Sequence, residues 1–254
     1  AIPFEDASNQ DVRFLRARMR QTMLPWLNDN FGKNVQPALV KLGQEMVEMK
    51  EYFEERLGAL LDHSIAGPFG ICLDLQDKMP SSLIEIKYLL RLFCGRYQMN
   101  LSHSQYQTCA EVLRLGRANQ CFENGGKALY ADRQRLFLYH PTEGRWRLEM
   151  KKKTLCSNTC YSAWQEAWQG RCRACLPDGL YQVGDWSMEA ANRQSIDKWW
   201  TSHRIPAFLR SIFPLIFQGP EIVHEFLTGR CRSAFQDQEG IEISLYYEER
   251  SLAL

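Results

Sequence analysis

Four of the nine cysteines fall within twenty residues: Cys156-Ser-Asn-Thr-Cys160, eleven residues that hold Trp164 and Trp168, then Cys172-Arg-Ala-Cys175. Two short-spaced thiol pairs permit two chemistries. As thiolates, Cys156, Cys160, Cys172 and Cys175 have the donor type and approximate spacing of a tetrahedral zinc site. Oxidised, they staple a loop with disulfides, as secreted domains do. The first pair is spaced by three residues where two are usual, and no glycine follows closely behind either pair. Five further cysteines are spread along the chain, which favours an oxidising compartment over a dedicated metal site. Nine is odd, so at least one thiol stays unpaired within a monomer.

The cations around this stretch have a chemistry of their own. Residues 110–175 carry twelve Lys/Arg against six Asp/Glu, whereas the rest of the chain carries nineteen against twenty-four. The net charge of the whole is only +1, so no global field draws in nucleic acid or a membrane. The candidate binding surface is Arg145, Arg147, Lys151, Lys152, Lys153, Arg171 and Arg173 with Trp164 and Trp168. In the disulfide reading this surface meets a protein partner through exposed aromatics. In the zinc reading the cations hold phosphates and the indoles stack on bases. The plainer reading is a solvated sheet face over a tryptophan-rich core, since six of the seven tryptophans lie between 146 and 200.

Signatures of catalysis are missing from the sequence. Gly125-Gly126-Lys127 has Cys121 where a phosphate-binding loop needs its first glycine, and Ala128 where it needs Ser or Thr. There is no nucleophile elbow, no H-E-x-x-H, no G-x-G-x-x-G and no C-x-x-C-H. The five histidines stand singly. No catalytic residue and no bound cofactor are assigned. An enzyme with an unrecognised Cys/His pair is the third reading, because such partners meet only in the fold.

The elements that must position these residues follow from periodicity. Residues 8–24 step Val12, Leu15, Met19, Met23 on one face with four arginines elsewhere, a helix closed by Pro25 and Asn28-Asp29-Asn30. Leu39, Leu42, Met46, Met49 and Phe53 continue into Leu57, Leu60 and Leu61, an amphipathic helix of about 25 residues expected to pack in an intramolecular bundle. Gly67-Pro68-Phe69-Gly70 is a loop. Ser81-Ser82 and Ser102 open two more helices, to Gly95 and to residue 116. From Gly125-Gly126 onward the period falls to two: 128–130, 135–140 and 145–150 read as an antiparallel meander turned at Pro141-Thr142-Glu143-Gly144. A helix over 187–203, short segments from Ala207 and over 221–227, and an alternating strand over 241–247 complete the chain.

The expectation is therefore an α+β chain, predominantly helical. A helical region over 1–122 packs with a hairpin, cysteine-rich loop and C-terminal helices over 123–254 as one compact unit. The chain begins Ala-Ile-Pro-Phe, as a mature protein does after signal-peptide removal, and as a trimmed chain also does. No apolar run is long enough to span a membrane. The favoured function is a secreted or luminal, disulfide-stabilised module that binds a protein partner of unknown identity through the basic, Trp-rich middle. The alternative is an intracellular zinc protein that contacts nucleic acid.

Overall fold

The computed structural model describes residues 11–155, 163–228 and 238–249. The chain divides into two units, Ala1–Arg56 and Leu57–Leu254. In the first, helix α1 (Leu15–Arg18) runs through one π-helical turn, Met19–Met23, into α2 (Leu24–Phe31). Pro25 does not end this helix: it follows directly on the π-helical turn, and the backbone on both sides of the junction stays helical. The stop comes at Gly32, in the left-handed conformation (φ 62°) that a C-cap favours. Asn34 Oδ1 accepts from the Gln36 N–H (3.0 Å) and opens α3 (Gln36–Leu61). The apolar stripe lies as expected along α3, but Leu39, Leu42, Met46 and Met49 are exposed where a bundle core was expected.

In the second unit β1 (Ile65–Gly67) and β2 (Gly70–Asp74) form a tight hairpin around the anticipated Gly67–Gly70 turn. A Cβ on Gly67 would lie 1.9 Å from the Trp168 carbonyl oxygen, so only glycine lets the turn approach that segment. Helices α4 (Leu83–Arg96) and α5 (His103–Arg114) each begin with a full capping box, Ser82 with Glu85 and Ser102 with Gln105. Strands β3 (Gln120–Asn124), β4 (Lys127–Asp132) and β5 (Arg135–Tyr139) complete an antiparallel sheet in the order β1-β2-β5-β4-β3. β5 is central and buried on both faces. Phe137 joins the larger aromatic core, and α5 packs on β3 and β4.

The expected hairpin across Pro141–Gly144 does not form. After β5 the chain leaves this sheet, and β6 (Gly144–Leu155) enters another. The corner is held by the Thr142 N–H donating to the Pro68 carbonyl (2.8 Å) and by the Tyr247 hydroxyl donating to the Thr142 carbonyl (2.9 Å). Then follow α6 (Trp164–Trp168), β7 (Arg171–Pro177), β8 (Gln182–Gly184), α7 (Arg193–Ser202), a 3-10 turn over Ala207–Ser211, β9 (Leu215–Gln218), β10 (Glu221–Glu225) and β11 (Gln238–Glu249). They make two three-stranded antiparallel sheets, β10-β9-β8 and β6-β11-β7. With helices at 41% and antiparallel strands at 28%, the chain is mixed α+β, richer in sheet than its periodicity suggests.

The core between these sheets is aromatic: Trp168, Trp200, Phe213, Phe217 and Phe226 are fully buried. Glu225 and His224 are among the polar groups buried there. Glu225 accepts from Trp200 Nε1 (2.7 Å) and from the Leu227 N–H (2.9 Å), which supplies the hydrogen bonds a buried carboxylate needs. His224 is 1% exposed, and burial pushes its pKa down to about 3. Its folded-state pKa is thus below the unfolded one, so the unfolded chain binds more protons between about pH 3 and 6.5. Stability is expected to be full above about pH 6.5 and to fall as the pH drops through that window, by up to about 1.4 kcal/mol per unit from this group. Urea midpoints measured from pH 7 to pH 4 for wild type and His224→Phe test this. The variant should show the shallower slope, and identical slopes would refute the assignment.

Candidate nucleic-acid interface

The register of the β6-β11-β7 sheet sorts the predicted cations by face. Facing pairs across β11 and β6 include Glu242 with Lys151, Ser244 with Glu149, Tyr246 with Arg147 and Glu248 with Arg145. Across β11 and β7, Ser244 faces Arg173 and Tyr246 faces Arg171. Side chains of a strand alternate between faces. Ile243 and Leu245 point into the core, so Glu242, Ser244, Tyr246 and Glu248 point out. Arg145, Arg147, Lys151, Arg171 and Arg173 therefore share one outer face, although twenty or more residues separate the two groups in sequence.

Lys152 faces Ile241 and belongs to the other side of the sheet. Lys153 faces Gly240, near the end of β6. Trp164 and Trp168 are not on this surface. Both are buried in α6, where the Trp168 indole N–H donates to the Gly70 carbonyl (3.2 Å) and Trp164 meets Phe137 edge-on. The aromatic group on the cationic face is Tyr246 instead, 39% exposed. The alternation over 241–247 did carry that signal, because it sets Tyr246 opposite to Ile243 and Leu245. What the local sequence does not carry is that β11 lies between β6 and β7.

The face is cationic with acidic interruptions. Arg147 bonds Glu248 (3.0 Å), which favours its charged form, and lies 3.8 Å from Glu149. Lys151 lies 3.9 Å from Glu149. These pairs are exposed, so each holds its cation only weakly. On β7, Arg171 donates to the Gln169 side-chain carbonyl (2.9 Å). A surface pocket of about 250 Å³ opens beside it, lined by Glu166, Gln169, Arg171, Arg173, Ser244 and Tyr246. Guanidiniums along an edge strand, with the Tyr246 phenol on the neighbouring strand, present donors to phosphate oxygens.

The cysteines take no part in a disulfide among the described residues. Cys156 and Cys160 lie outside the described residues. Cys172 and Cys175 lie on β7, not in a loop, and their spacing of three turns them to opposite faces of the strand. Cys172 faces the aromatic core with Ala174 and Leu176. With Cys156 and Cys160 outside the described residues, the four-cysteine site as a whole is not described; among the described residues no group of three or more ligand side chains converges on a metal position. Burial pushes the Cys172 and Cys72 thiols well up and the Cys94 thiol to about 11, so they stay protonated at neutral pH. Protonated buried thiols are poor nucleophiles. They serve as small core residues.

No family model matches the chain. Curated relatives do. The chain is 37% identical, over 96% of its length, to the tRNA(Ile)-lysidine synthase of Protochlamydia amoebophila, and covers 58% of that protein. It is 31% identical to the tRNA(Ile)-lysidine synthase of Chlamydia muridarum over 43% of this chain and 34% of that one. It is 50% identical to that of Chlamydia pneumoniae over 38% of this chain and 29% of that one. The chain thus spans a little over half of the Protochlamydia protein. Likeness to synthases named for tRNA(Ile), together with the absence of disulfides among the described residues, overturns the secreted or luminal disulfide-stabilised module, its protein partner and its extracellular placement. No described helix is long and apolar enough to cross a membrane.

Proposed function

We propose that this chain is an RNA-contacting portion of a tRNA(Ile)-lysidine synthase, working inside the cell, and that the outer face of β6-β11-β7 meets the tRNA. The likeness to the Protochlamydia enzyme over 96% of the chain carries the reading. The sorting of Arg145, Arg147, Lys151, Arg171 and Arg173 onto one face gives it a location. Of the two chemistries weighed from the sequence, contact with nucleic acid is the one the relatives favour; the four-cysteine zinc site has Cys156 and Cys160 outside the described residues.

The chain's own part is to bind and orient the tRNA. Arginine forks grip phosphate oxygens at two points each, and so fix register as well as add affinity. The buried thiols and His224 are held in their neutral forms, which suits a scaffold better than a reacting centre. The test is the affinity for a tRNA(Ile) transcript when Arg171 and Arg173 are both reversed to glutamate. A large loss supports the reading, and unchanged affinity overturns it.

A further inference from the structure

One row across the outer face differs from its neighbours. Tyr246 of β11 stands directly between Arg147 of β6 and Arg171 of β7. Directly opposed residues in antiparallel strands have Cβ atoms about 4.5–5.5 Å apart, so the phenol is flanked on both sides at close range. Neither guanidinium covers the ring: Arg147 is engaged with Glu248, and Arg171 with Gln169. The cation–π pairs of the described residues lie elsewhere, Arg135 on Trp164 and Arg193 on Trp186. Tyr246 is 39% exposed and borders the pocket of about 250 Å³ whose other walls include Glu166, Arg171, Arg173 and Ser244.

The geometry points to a stacking site for one unpaired nucleotide of RNA, with the base on Tyr246, its flanking phosphates on Arg147 and Arg171, and the pocket beside Arg173 and Ser244 receiving the base edge or ribose. This rests on the reading of the face as an RNA surface and narrows it. A base stacked within a duplex has no free π-face to offer an exposed ring, whereas an unpaired base has one. An aromatic set between cations is the combination that binds single strands without demanding a particular base. A face built only for duplex phosphates would gain nothing from a phenol at the centre of its cations.

The experiment compares the full chain with its Tyr246→Ala and Tyr246→Phe variants by equilibrium binding of a short single-stranded RNA, the blunt duplex of the same sequence, and a tRNA(Ile) transcript. Tyr246 is on the surface, and unchanged thermal melting of the variants certifies their fold. Tyr246→Ala is expected to weaken single-stranded RNA about five- to a hundredfold, with duplex binding within twofold of wild type. Tyr246→Phe should restore single-strand binding, since the ring and not the hydroxyl stacks. Single-strand affinity within twofold of wild type in Tyr246→Ala overturns the site, as does an equal loss for both RNAs. The two readings fail separately. If Tyr246→Ala is silent while reversal of Arg171 and Arg173 still abolishes tRNA(Ile) binding, the stacking site is wrong and the RNA face stands. If both changes are silent, the face fails as well.

Discussion

Replacing Asp132 by alanine is expected to lower the stability of the chain by about 3–5 kcal/mol, the range for breaking a buried ion pair from one side. Asp132 is 1% exposed and accepts from Arg133 Nη1 (2.7 Å), Arg135 Nη2 (2.9 Å) and the Asn119 N–H (3.1 Å). Both guanidiniums also donate to the Arg204 carbonyl, at 3.1 and 2.8 Å. The cluster thereby ties the β4–β5 turn to the chain leaving α7. Without the carboxylate, the Arg135 side chain remains only 6% exposed, with a carbonyl and the Trp164 ring at 5.8 Å for company. The uncompensated cation, more than the lost hydrogen bonds, sets the size of the effect. Pairing Asp132→Ala with Arg135→Met removes the carboxylate and the more deeply buried of its two cations, and should recover most of the loss. Urea denaturation measures both proteins. A single-variant loss under about 1 kcal/mol, or a double variant no better than the single, would contradict this account of the cluster.

Reversing Arg171 and Arg173 together is expected to weaken tRNA(Ile) binding about a hundredfold or more near physiological salt. Two phosphate contacts are lost and two repulsive charges take their place. The side chains stand two apart on one edge strand, so about 6.6 Å of chain separates them along β7. Lys152→Glu is the matched control. It changes charge by the same kind of step within the same basic stretch, but Lys152 faces Ile241 on the opposite side of the sheet. Its effect should stay within about threefold. If Lys152→Glu weakens binding as strongly per charge as the β7 reversals do, the RNA answers to overall charge and not to this face.

Much of the scaffold was readable because it is local. The three- and four-residue steps of α3 and the capping serines of α4 and α5 are contained within one or two helical turns, and each stands where its spacing put it. The alternation over 241–247 likewise became β11. Partnerships between distant strands were not readable. Pro141–Gly144 has the composition of a hairpin turn, yet β6 pairs with β11, about a hundred residues on, while β5 is already paired on both edges with β2 and β4. The cysteines misled for a different reason. Counting them suggested oxidation, whereas Cys72, Cys94 and Cys109 are at 0% exposure, the ordinary setting of a small apolar side chain. Of the candidate site, the arginines and lysines were visible as a local surplus of charge. Their division between faces, the burial of Trp164 and Trp168, and the place of Tyr246 required the register.

The measurement that bears most directly on the central claim is the salt dependence of tRNA(Ile) binding by the wild-type chain. If three to five of the outer-face cations displace counterions from phosphates, the logarithm of the affinity should fall against the logarithm of salt concentration with a slope of about −2 to −4.5, and the Arg171→Glu/Arg173→Glu variant should show a slope shallower by about 2. A wild-type slope flatter than about −1, or one that the double reversal leaves unchanged, would contradict the assignment of this face to tRNA.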